Sequence, residues 1–566
     1  MPYRAPLTDL RFVLDHVAGF AEVARTDRFA EASPETVTAI LTEAARMCED
    51  TLAPLNRVGD THPTRLDNGV VRTPPGFAEG YRAITAGGWV GMAASPAHGG
   101  MGLPMALTSC VNEMIGSACL ALQLNPLMTQ GQIEALEAHA SDEIKALYIP
   151  KLISGDWCAT MNLTEPQAGS DVGALRTKAE PLGDGTYAIT GQKIYITWAD
   201  NDFTENVCHL VLARLPDGEE GTRGISLFMV PKVLPGADGR LGARNALAVV
   251  SLEHKLGLHG SPTAVMQYDG AKGWLVGAPH RGLAAMFTMM NNARLGVGVQ
   301  GISVAEAAFQ QALSYACDRK QGRTPYGDTA IIDHADVRRM LATMKAEVFA
   351  ARSIALACAV AIDMGHATDE AAWQARAAFL TPIAKAYGTD IGNEVAHLGV
   401  QVHGGMGFIE ETGAAQFVRD VRVTAIYEGT NGIQAMDLVG RKMMDGGEAA
   451  FRLIDEIEAG AEAARADWPD LATPVWNAAE ALREGTEGLL AQGAEDRNAG
   501  AVPYLRAFAR VLGGHFHLKA AMADAARADL ARVYIRRLMP DHAAHLAQVR
   551  EGAAGLYALT PEALLA

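Results

Sequence analysis

The sequence predicts an α+β chain: an N-terminal helical domain, a central antiparallel β domain, a C-terminal helical bundle, and a helical extension. Three observations carry that prediction. At 566 residues the chain exceeds what a single hydrophobic core organises. Apolar residues recur at helical spacing to about residue 155, and again from about residue 281 to the end. Between Cys158 and Leu275 that texture gives way to short β-branched runs with no helices between them. The expected divisions are 1–157, 158–280, 281–445 and 446–566.

In chain order, Ser33-Pro34 reads as an N-cap followed by proline at the first helical position. Val37, Ile40, Leu41, Ala44 and Met47 then share one buried face. Gly87-Gly88 and Gly99-Gly100-Met101-Gly102 break the first domain into helices with glycine loops able to border a ligand. Asp184-Gly185 is a turn signal ahead of Tyr187-Ala188-Ile189-Thr190 and Lys193-Ile194-Tyr195-Ile196-Thr197. Residues 209–213 and 225–230 add further strands, which predicts an antiparallel sheet or barrel and not a dinucleotide fold. Residues 302–316 and 337–361 are long amphipathic stretches of a bundle. Asp445-Gly446-Gly447 marks a boundary, and the Ala-rich remainder is helical with breaks at Trp468-Pro469 and Asn498-Ala499-Gly500.

Composition narrows the function. Lys and Arg total 48 against 65 Asp and Glu, a net charge of −17, which argues against nucleic acid as the main partner. The seven cysteines form no C-x-x-C pair, the pattern of reduced thiols in a cytoplasmic enzyme. The opening residues hold no apolar targeting core, and no continuous apolar run reaches 18 residues, so no membrane association is expected.

Several motifs fail on context. Gly296-Val297-Gly298-Val299-Gln300-Gly301 matches G-x-G-x-x-G, but its flanks are helical, so close helix packing explains it better than a dinucleotide. His515 with His517, and His542 with His545, lack the further ligands that a metal site needs, so no metal is expected. There is no G-x-S-x-G elbow.

Two segments carry chemistry. In Ile426-Tyr427-Glu428-Gly429-Thr430-Asn431-Gly432-Ile433-Gln434, a lone carboxylate stands between an aromatic ring and a Gly-Thr turn that opens a helical run. Shielding from water there raises the carboxyl pKa and makes its ionised form a stronger base, and the glycine admits a close ligand. Met161-Asn162-Leu163-Thr164-Glu165-Pro166-Gln167-Ala168-Gly169-Ser170-Asp171 groups hydroxyls, amides and a glycine where helices give way to strands. Such a group suits a planar ring edge and a diphosphate. Tyr195 and Thr197 share a strand face by period two.

Together these segments resemble the paired signatures of the acyl-CoA dehydrogenase family, and the likeness runs through nearly all of residues 1–445. The resemblance implies FAD as cofactor, with Thr164 at the flavin, Ser170 at its diphosphate, and Tyr195 and Thr197 against the ring. Met161, Leu163, Gly169 and Thr430 complete the flavin set by the same match. In the family, Gln401 and Gly405 of Gln401-Val402-His403-Gly404-Gly405-Met406-Gly407-Phe408 reach the flavin of a neighbouring subunit. Tyr315-Ala316-Cys317-Asp318-Arg319 matches the segment that supplies an arginine to the diphosphate; residues 321–328 are extra, and Arg319 and Arg323 both remain open for that role. Arg294, Tyr427, Gly429 and Ser170 match positions near the substrate, and a helix-start salt bridge is the plainer reading of Arg294. The chain departs from the family pattern at Asn162, at Gln416 and at His334-Ala335.

The family chemistry implies Glu428 as the base that removes the α-proton of an acyl thioester while the β-hydrogen leaves as hydride to the flavin. Hydrogen bonds to the thioester carbonyl, one from the base residue's own N–H, stabilise the developing charge by roughly 3–4 kcal/mol each. Tyr3-Arg4-Ala5-Pro6-Leu7, residues 404–416 and the helical extension are similar to the subgroup that oxidises 3-(methylthio)propanoyl-CoA to 3-(methylthio)acryloyl-CoA in dimethylsulfoniopropionate breakdown. Electron-transfer flavoprotein is the implied acceptor and a homodimer the implied assembly. A general short-chain, medium-chain or aryl acyl-CoA dehydrogenase, or an oxidase, shares the motifs. A non-catalytic DNA-binding flavoprotein would instead need a basic face, for which Arg527, Arg532, Arg536 and Arg537 are the nearest candidate.

Overall fold

Ser33 caps its helix as expected: its hydroxyl accepts from the N–H of Thr36 at 3.2 Å, and the helix runs Pro34–Met47. The structure is a computed structural model that describes residues 3–327 and 329–566. Met1 and Pro2, which open the first expected domain, and Asp328, which ends the extra segment after Arg319, lie outside the described residues. Two compact units are assembled from non-contiguous segments. One comprises Met1–Leu41, Met105–Glu113 and Arg294–Ala566; the other comprises Thr42–Pro104 and Met114–Ala293.

The second unit carries the sheet. Its first strands, β1 (Arg65–Asp67) and β2 (Val70–Arg72), form an antiparallel hairpin around Asn68 and Gly69, both at positive φ. This hairpin interrupts the expected all-helical N-terminal domain, and its Asn-Gly turn is the preferred two-residue connection. The main strands follow: β3 (Trp157–Asn162), β4 (Lys178–Pro181), β5 (Tyr187–Thr197), β6 (Asn206–Arg214) and β7 (Ile225–Pro231). A small pair, β8 (Val233–Pro235) and β9 (Leu241–Arg244), precedes β10 (Leu247–Leu252) and the long β11 (Thr263–Val276). The two runs read separately at 187–190 and 193–197 are one strand.

Strand order is β10-β11-β5-β4-β6-β3, and β7 pairs with both β11 and β6. Those last two pairings close β11, β5, β4, β6 and β7 into a ring. Ile189, Val211, Phe228, Met266 and Tyr268 belong to its buried core. The domain is mainly antiparallel, as expected, with two parallel pairings that the sequence did not announce. β3 runs parallel to β6, from Trp157 opposite Asn206 to Asn162 opposite Val211, and β4 meets β6 in parallel at Lys178 and Arg214. The chain makes the β4–β5 excursion between β3 and β6, so β6 returns in the direction of β3.

The first unit is helical. Gly298 and Gly301, on the Gly282–Asp318 helix, lie against Ala384, Gly388 and Gly392 of the Ala371–His403 helix. A Cβ at Gly301 would stand 2.3 Å from the Gly388 carbonyl oxygen, and one at Gly298 2.5 Å from that of Ala384. The G-x-G-x-x-G match is therefore a seam of backbone-to-backbone packing. Beside it, the fully buried Arg352 donates to Glu113 and to Glu306, so its charge is met by two carboxylates.

The extension contributes helices Glu448–Ala464, Pro469–Ala491, Ala501–Ala523 and Asp541–Glu551, with breaks where the sequence placed them. It joins the bundle through buried polar contacts: Tyr387 donates to Glu347 at 2.7 Å, Arg510 pairs with Glu347, and the hydroxyls of Tyr387 and Tyr534 meet at 2.9 Å. Helices Met105–His139 and Ala335–Thr368 are long and apolar enough to cross a membrane, but 94% of each qualifying window is buried within the protein.

Candidate active site

The Glu428 loop lies between the end of a short 3₁₀ segment and the Asn431–Asp437 helix, whose N-cap is Thr430, accepting from the N–H of Ile433 at 3.3 Å. Glu428 has φ 56° and Gly429 φ 84°. The left-handed region costs a non-glycine residue roughly 1–2 kcal/mol, so the surroundings must hold Glu428 there. They do so through both carbonyls. The Glu428 oxygen accepts from Gln434 Nε2 at 3.2 Å, and the Gly429 oxygen accepts from Lys385 Nζ at 2.9 Å. Next door, the Tyr427 hydroxyl donates to Gln300 Oε1 at 2.5 Å. Among the described residues the N–H of Glu428 has no acceptor, which leaves it free to donate to a ligand.

Burial pushes the Glu428 carboxyl up to about 7, against the pull of the Arg294 and Lys385 cations. Lys385 is fully buried, and that burial lowers its ammonium to about 8 despite the Glu428 and Asp390 charges. Arg294 does not start its helix but lies within Gly282–Asp318, buried, with Asp437 Oδ2 at 3.4 Å. The plainer reading of Arg294 is right about an ion pair and wrong about the helix start, and its charge also bears on Glu428.

In the other unit, the Met161–Asp171 stretch is laced to β5. The backbone N–H of Ile194 donates to the Thr164 carbonyl at 2.9 Å. The fully buried Lys193 donates to the Leu163 carbonyl at 2.9 Å and to Glu165 Oε1 at 2.8 Å. Burial works against ionisation of Glu165, but Lys193, the Thr177 hydroxyl and the Arg176 N–H outweigh it and hold the carboxyl down at about 2. With Leu163 and Glu165 fixed inward, Thr164 between them faces outward.

Tyr195 stands 61% exposed at φ 60°, and Thr197 is half-buried, with the inward Ile196 between them. The shared face is present, but strict alternation is not. A register shift between Lys193↔Met266 and Ile196↔Ala264 inserts a residue and turns Tyr195 outward although Lys193 points inward.

These residues fit a flavin. Among the described residues the hydroxyls of Thr164, Ser170 and Thr197 meet no hydrogen-bond partner within the chain. A Cβ at Gly169 would meet nothing within 4 Å, so the chain's own packing does not require glycine there. The same holds at Gly405, which with Gln401 is exposed in the first unit. Phe408 beside them is 86% exposed. Arg319 and Arg323 are exposed, and among the described residues neither has an acidic partner. Met161 is half-buried on β3.

Each departure from the family pattern has a local role. Asn162 donates to Thr160 at 2.7 Å and accepts from Tyr268 at 2.9 Å, Gln416 donates to Asp420 at 3.1 Å, and His334 Nε2 lies 2.7 Å from the Gln321 carbonyl. Of the arginines weighed as a basic face, Arg527 binds Asp9, Arg532 binds Asp470 and Asp529, and Arg536 binds the Asp470 carbonyl. Among the described residues, no group of three or more His, Cys, Asp or Glu is placed to hold a metal. Sequence reasoning missed Lys385, Lys193, Gln300 and Gln434. A buried lysine inside an otherwise apolar helix or strand was the available signal for the first two.

Known proteins resemble this chain along most of its length. Residues 34–156, 160–271 and 280–444 match the N-terminal, middle and C-terminal domains of acyl-CoA dehydrogenase, and residues 453–560 match an acetyl-CoA dehydrogenase C-terminal-like domain. A 3-methylmercaptopropionyl-CoA dehydrogenase of Ruegeria pomeroyi is 47% identical over 524 residues, 89% of this chain and 88% of that protein. An acyl-CoA dehydrogenase from Bacillus anthracis, solved with FAD, superposes with a TM-score of 0.76 at 19% identity over 97% of this chain and 92% of that one. Caenorhabditis elegans ACDH-11, solved with C11-CoA, gives 0.77 at 20% identity over 91% and 88%.

Proposed function

The chain belongs to the acyl-CoA dehydrogenase family, and from that premise we propose that Glu428 is its catalytic base and 3-(methylthio)propanoyl-CoA its substrate. The enzyme is an FAD-dependent oxidoreductase that introduces an α,β double bond into an acyl-CoA thioester. FAD, when bound, supplies the hydride acceptor.

The observation that carries the assignment of the base is the strained Glu428–Gly429 pair, with its carboxyl pushed up to about 7 and its N–H unpaired within the described chain. A base works best when its pKa lies near the working pH, and this carboxyl is shifted toward neutrality by the protein alone. The Glu428 N–H donates to the thioester carbonyl, and Arg294 and Lys385 moderate the charge of the carboxylate. Tyr427, Gly429, Arg294 and Ser170 line the substrate. Met161, Leu163, Thr164, Gly169, Ser170, Tyr195 and Thr197 hold the flavin, with Arg319, Gln401, Gly405 and Thr430 as its further contacts.

The methylthio substrate rests on the relationship to the Ruegeria pomeroyi protein, which spans both chains almost end to end. Electron-transfer flavoprotein is the acceptor, the assembly is a homodimer in which the exposed Gln401, Gly405 and Phe408 meet the partner, and the enzyme works in the cytoplasm. Division into 1–157, 158–280, 281–445 and 446–566 describes its domains.

Anaerobic bleaching of the flavin band tests the substrate, using methylthiopropanoyl-, butanoyl-, octanoyl-, palmitoyl- and phenylpropanoyl-CoA. Fastest bleaching by the methylthio compound is expected. Bleaching by long or aromatic chains alone would discard the sulfur substrate and keep the reaction. Rapid reoxidation of the reduced enzyme in air would replace the flavoprotein acceptor with O₂.

A further inference from the structure

Within the helical unit an unbroken run of hydrogen bonds links the base loop to the C-terminal extension. Lys385 Nζ, which holds the Gly429 carbonyl, also donates to Asn431 Oδ1 at 2.9 Å. Asn431 Nδ2 donates to Asp390 Oδ1 at 2.7 Å and to Thr389 Oγ1 at 3.0 Å. Asp390 Oδ2 accepts from Arg506 Nη1 at 3.0 Å, and Arg506 Nη2 reaches Glu394 at 2.6 Å. Arg506 sits on the Ala501–Ala523 helix, in the part of the chain beyond the bundle.

We propose that Arg506 is a positioning residue for Glu428, acting through Asp390, Asn431 and Lys385, so that the extension is part of the catalytic apparatus. This rests on the reading of Glu428 as the base. The argument is one of donor and acceptor polarity. The Asn431 amide has one orientation that satisfies both neighbours: its oxygen toward the Lys385 ammonium, its NH₂ toward a carboxylate at Asp390. A neutral Asp390 accepts from that NH₂ more weakly than a carboxylate does, and the amide is then less firmly held with its oxygen toward Lys385. The ammonium is fully buried, so a weakened second acceptor disfavours its charged form and with it the pull of that charge on Glu428.

Burial raises the Asp390 carboxyl, and the Arg506 charge is the largest influence opposing that rise. Arg506 thus favours the ionised Asp390, the stronger acceptor for Asn431, and anchors its second oxygen. The charged groups around this run are few. Arg294 and Lys385 face Glu428, and Asp437 and Arg441 lie behind Arg294. Arg506 and Glu394 face Asp390, while Arg510, together with Arg506, bears on His545.

The test is stopped-flow flavin bleaching of the holoenzyme as a function of pH, using the fastest acyl-CoA of the panel above. Arg506→Met is expected to slow bleaching about tenfold or more, the scale on which small displacements of a reacting group are felt. FAD content is expected to stay full, and the acid limb of the rate profile to move upward as Glu428 loses its Lys385 neighbour. Arg506→Lys recovers most of the rate. Lys385→Met gives the same upward shift, and Arg506→Met added to Lys385→Met slows bleaching by less than about twofold further, because the two act as one unit.

Wild-type rate and an unmoved acid limb in Arg506→Met would overturn the proposal, and so would effects of the two substitutions that multiply. If Arg506→Met does not fold, Asp390→Leu, which removes the acceptor of Asn431, replaces it: the same upward shift supports the relay, and an unmoved limb refutes it. Failure of the underlying reading is separately visible, since wild-type bleaching by Glu428→Gln removes the base assignment whatever Arg506 does.

Discussion

Two non-glycine residues in the left-handed region, Glu428 in the helical unit and Tyr195 in the β unit, are held there by different means. Glu428 is held by side chains: Gln434 grips its own carbonyl and Lys385 that of Gly429, and one of those grips is a buried charge. Tyr195 is held by the sheet, in a register shift between β5 and β11, with the Lys193–Glu165 pair beneath it. Geometry held by charge responds to pH and to the loss of distant ionic partners. Geometry held by a backbone ladder does not depend on distant ionic partners, and it exposes a side chain at an angle that regular alternation does not provide.

The largest expected effect falls on the charge-held residue. Glu428→Gln removes the proton acceptor and keeps the shape, so flavin bleaching should slow by roughly 10³-fold or more, within the range attributed to general-base catalysis. FAD content and acyl-CoA affinity should hold. Retention of near-normal rates would show that this loop carries no base. The next effect falls on the ladder-held side. Lys193→Met leaves Glu165 buried without its cation, which typically costs about 3–5 kcal/mol. The thermal midpoint should fall and FAD should be released more readily. Glu165 has a lowered pKa, so its stabilisation is present above its ordinary value of 4.5 and fades as pH falls toward about 2. The gap between wild type and Lys193→Met should therefore be full at pH 7 and narrow on acidification; a constant gap would mean that lost packing, not lost charge, is responsible.

Pattern made much of this legible. The switch from helical to β texture near Cys158, the break at Asp445-Gly446-Gly447 and the packing seam at Gly298 and Gly301 all follow from periodicity and glycine spacing, which are local properties. Glu428 at a turn before a short helix was legible for the same reason. The parallel β3–β6 pairing was not, since strand direction depends on how the chain returns after β4 and β5. The extra residue before Ile196 was hidden because Lys193-Ile194-Tyr195-Ile196-Thr197 alternates well enough to mask it. Asn68-Gly69 carried its hairpin signal openly, but the flanking strands are only three residues each. Gln300 and Gln434 could not be singled out, since a polar residue in a helix reads alike whether it faces water or a carbonyl from another segment.

The two regions also separate in how stability responds to pH. Glu428 has a folded pKa raised from 4.5 to about 7, so its contribution to stability is fully present below 4.5 and is lost as pH rises through 7. Glutamine mimics the protonated form and carries no such loss. Glu428→Gln should match wild type near pH 4.5 and exceed it at pH 8 by on the order of 2–3 kcal/mol. Thermal midpoints at the two pH values decide this, and equal midpoints at pH 8 would mean that the loop does not desolvate its carboxylate. Stability gained where activity is lost is the expected sign of a site held against its own electrostatic preference.

The smallest effect tests the ladder-held residue. Tyr195→Ala and Tyr195→Gly both remove the exposed ring, so both should weaken FAD retention to a similar degree. They differ in the backbone. At φ 60° alanine keeps the left-handed strain, whereas glycine relieves roughly 1 kcal/mol of it. Part of that relief is offset, because glycine loses more freedom on folding. If the register shift imposes φ, Tyr195→Gly should be more stable than Tyr195→Ala by about 0.5 kcal/mol, read as a small difference in thermal midpoint between matched samples. If alanine proves equal or better, the strand relaxes to ordinary alternation once the ring is gone, and the ring itself holds the bulge open.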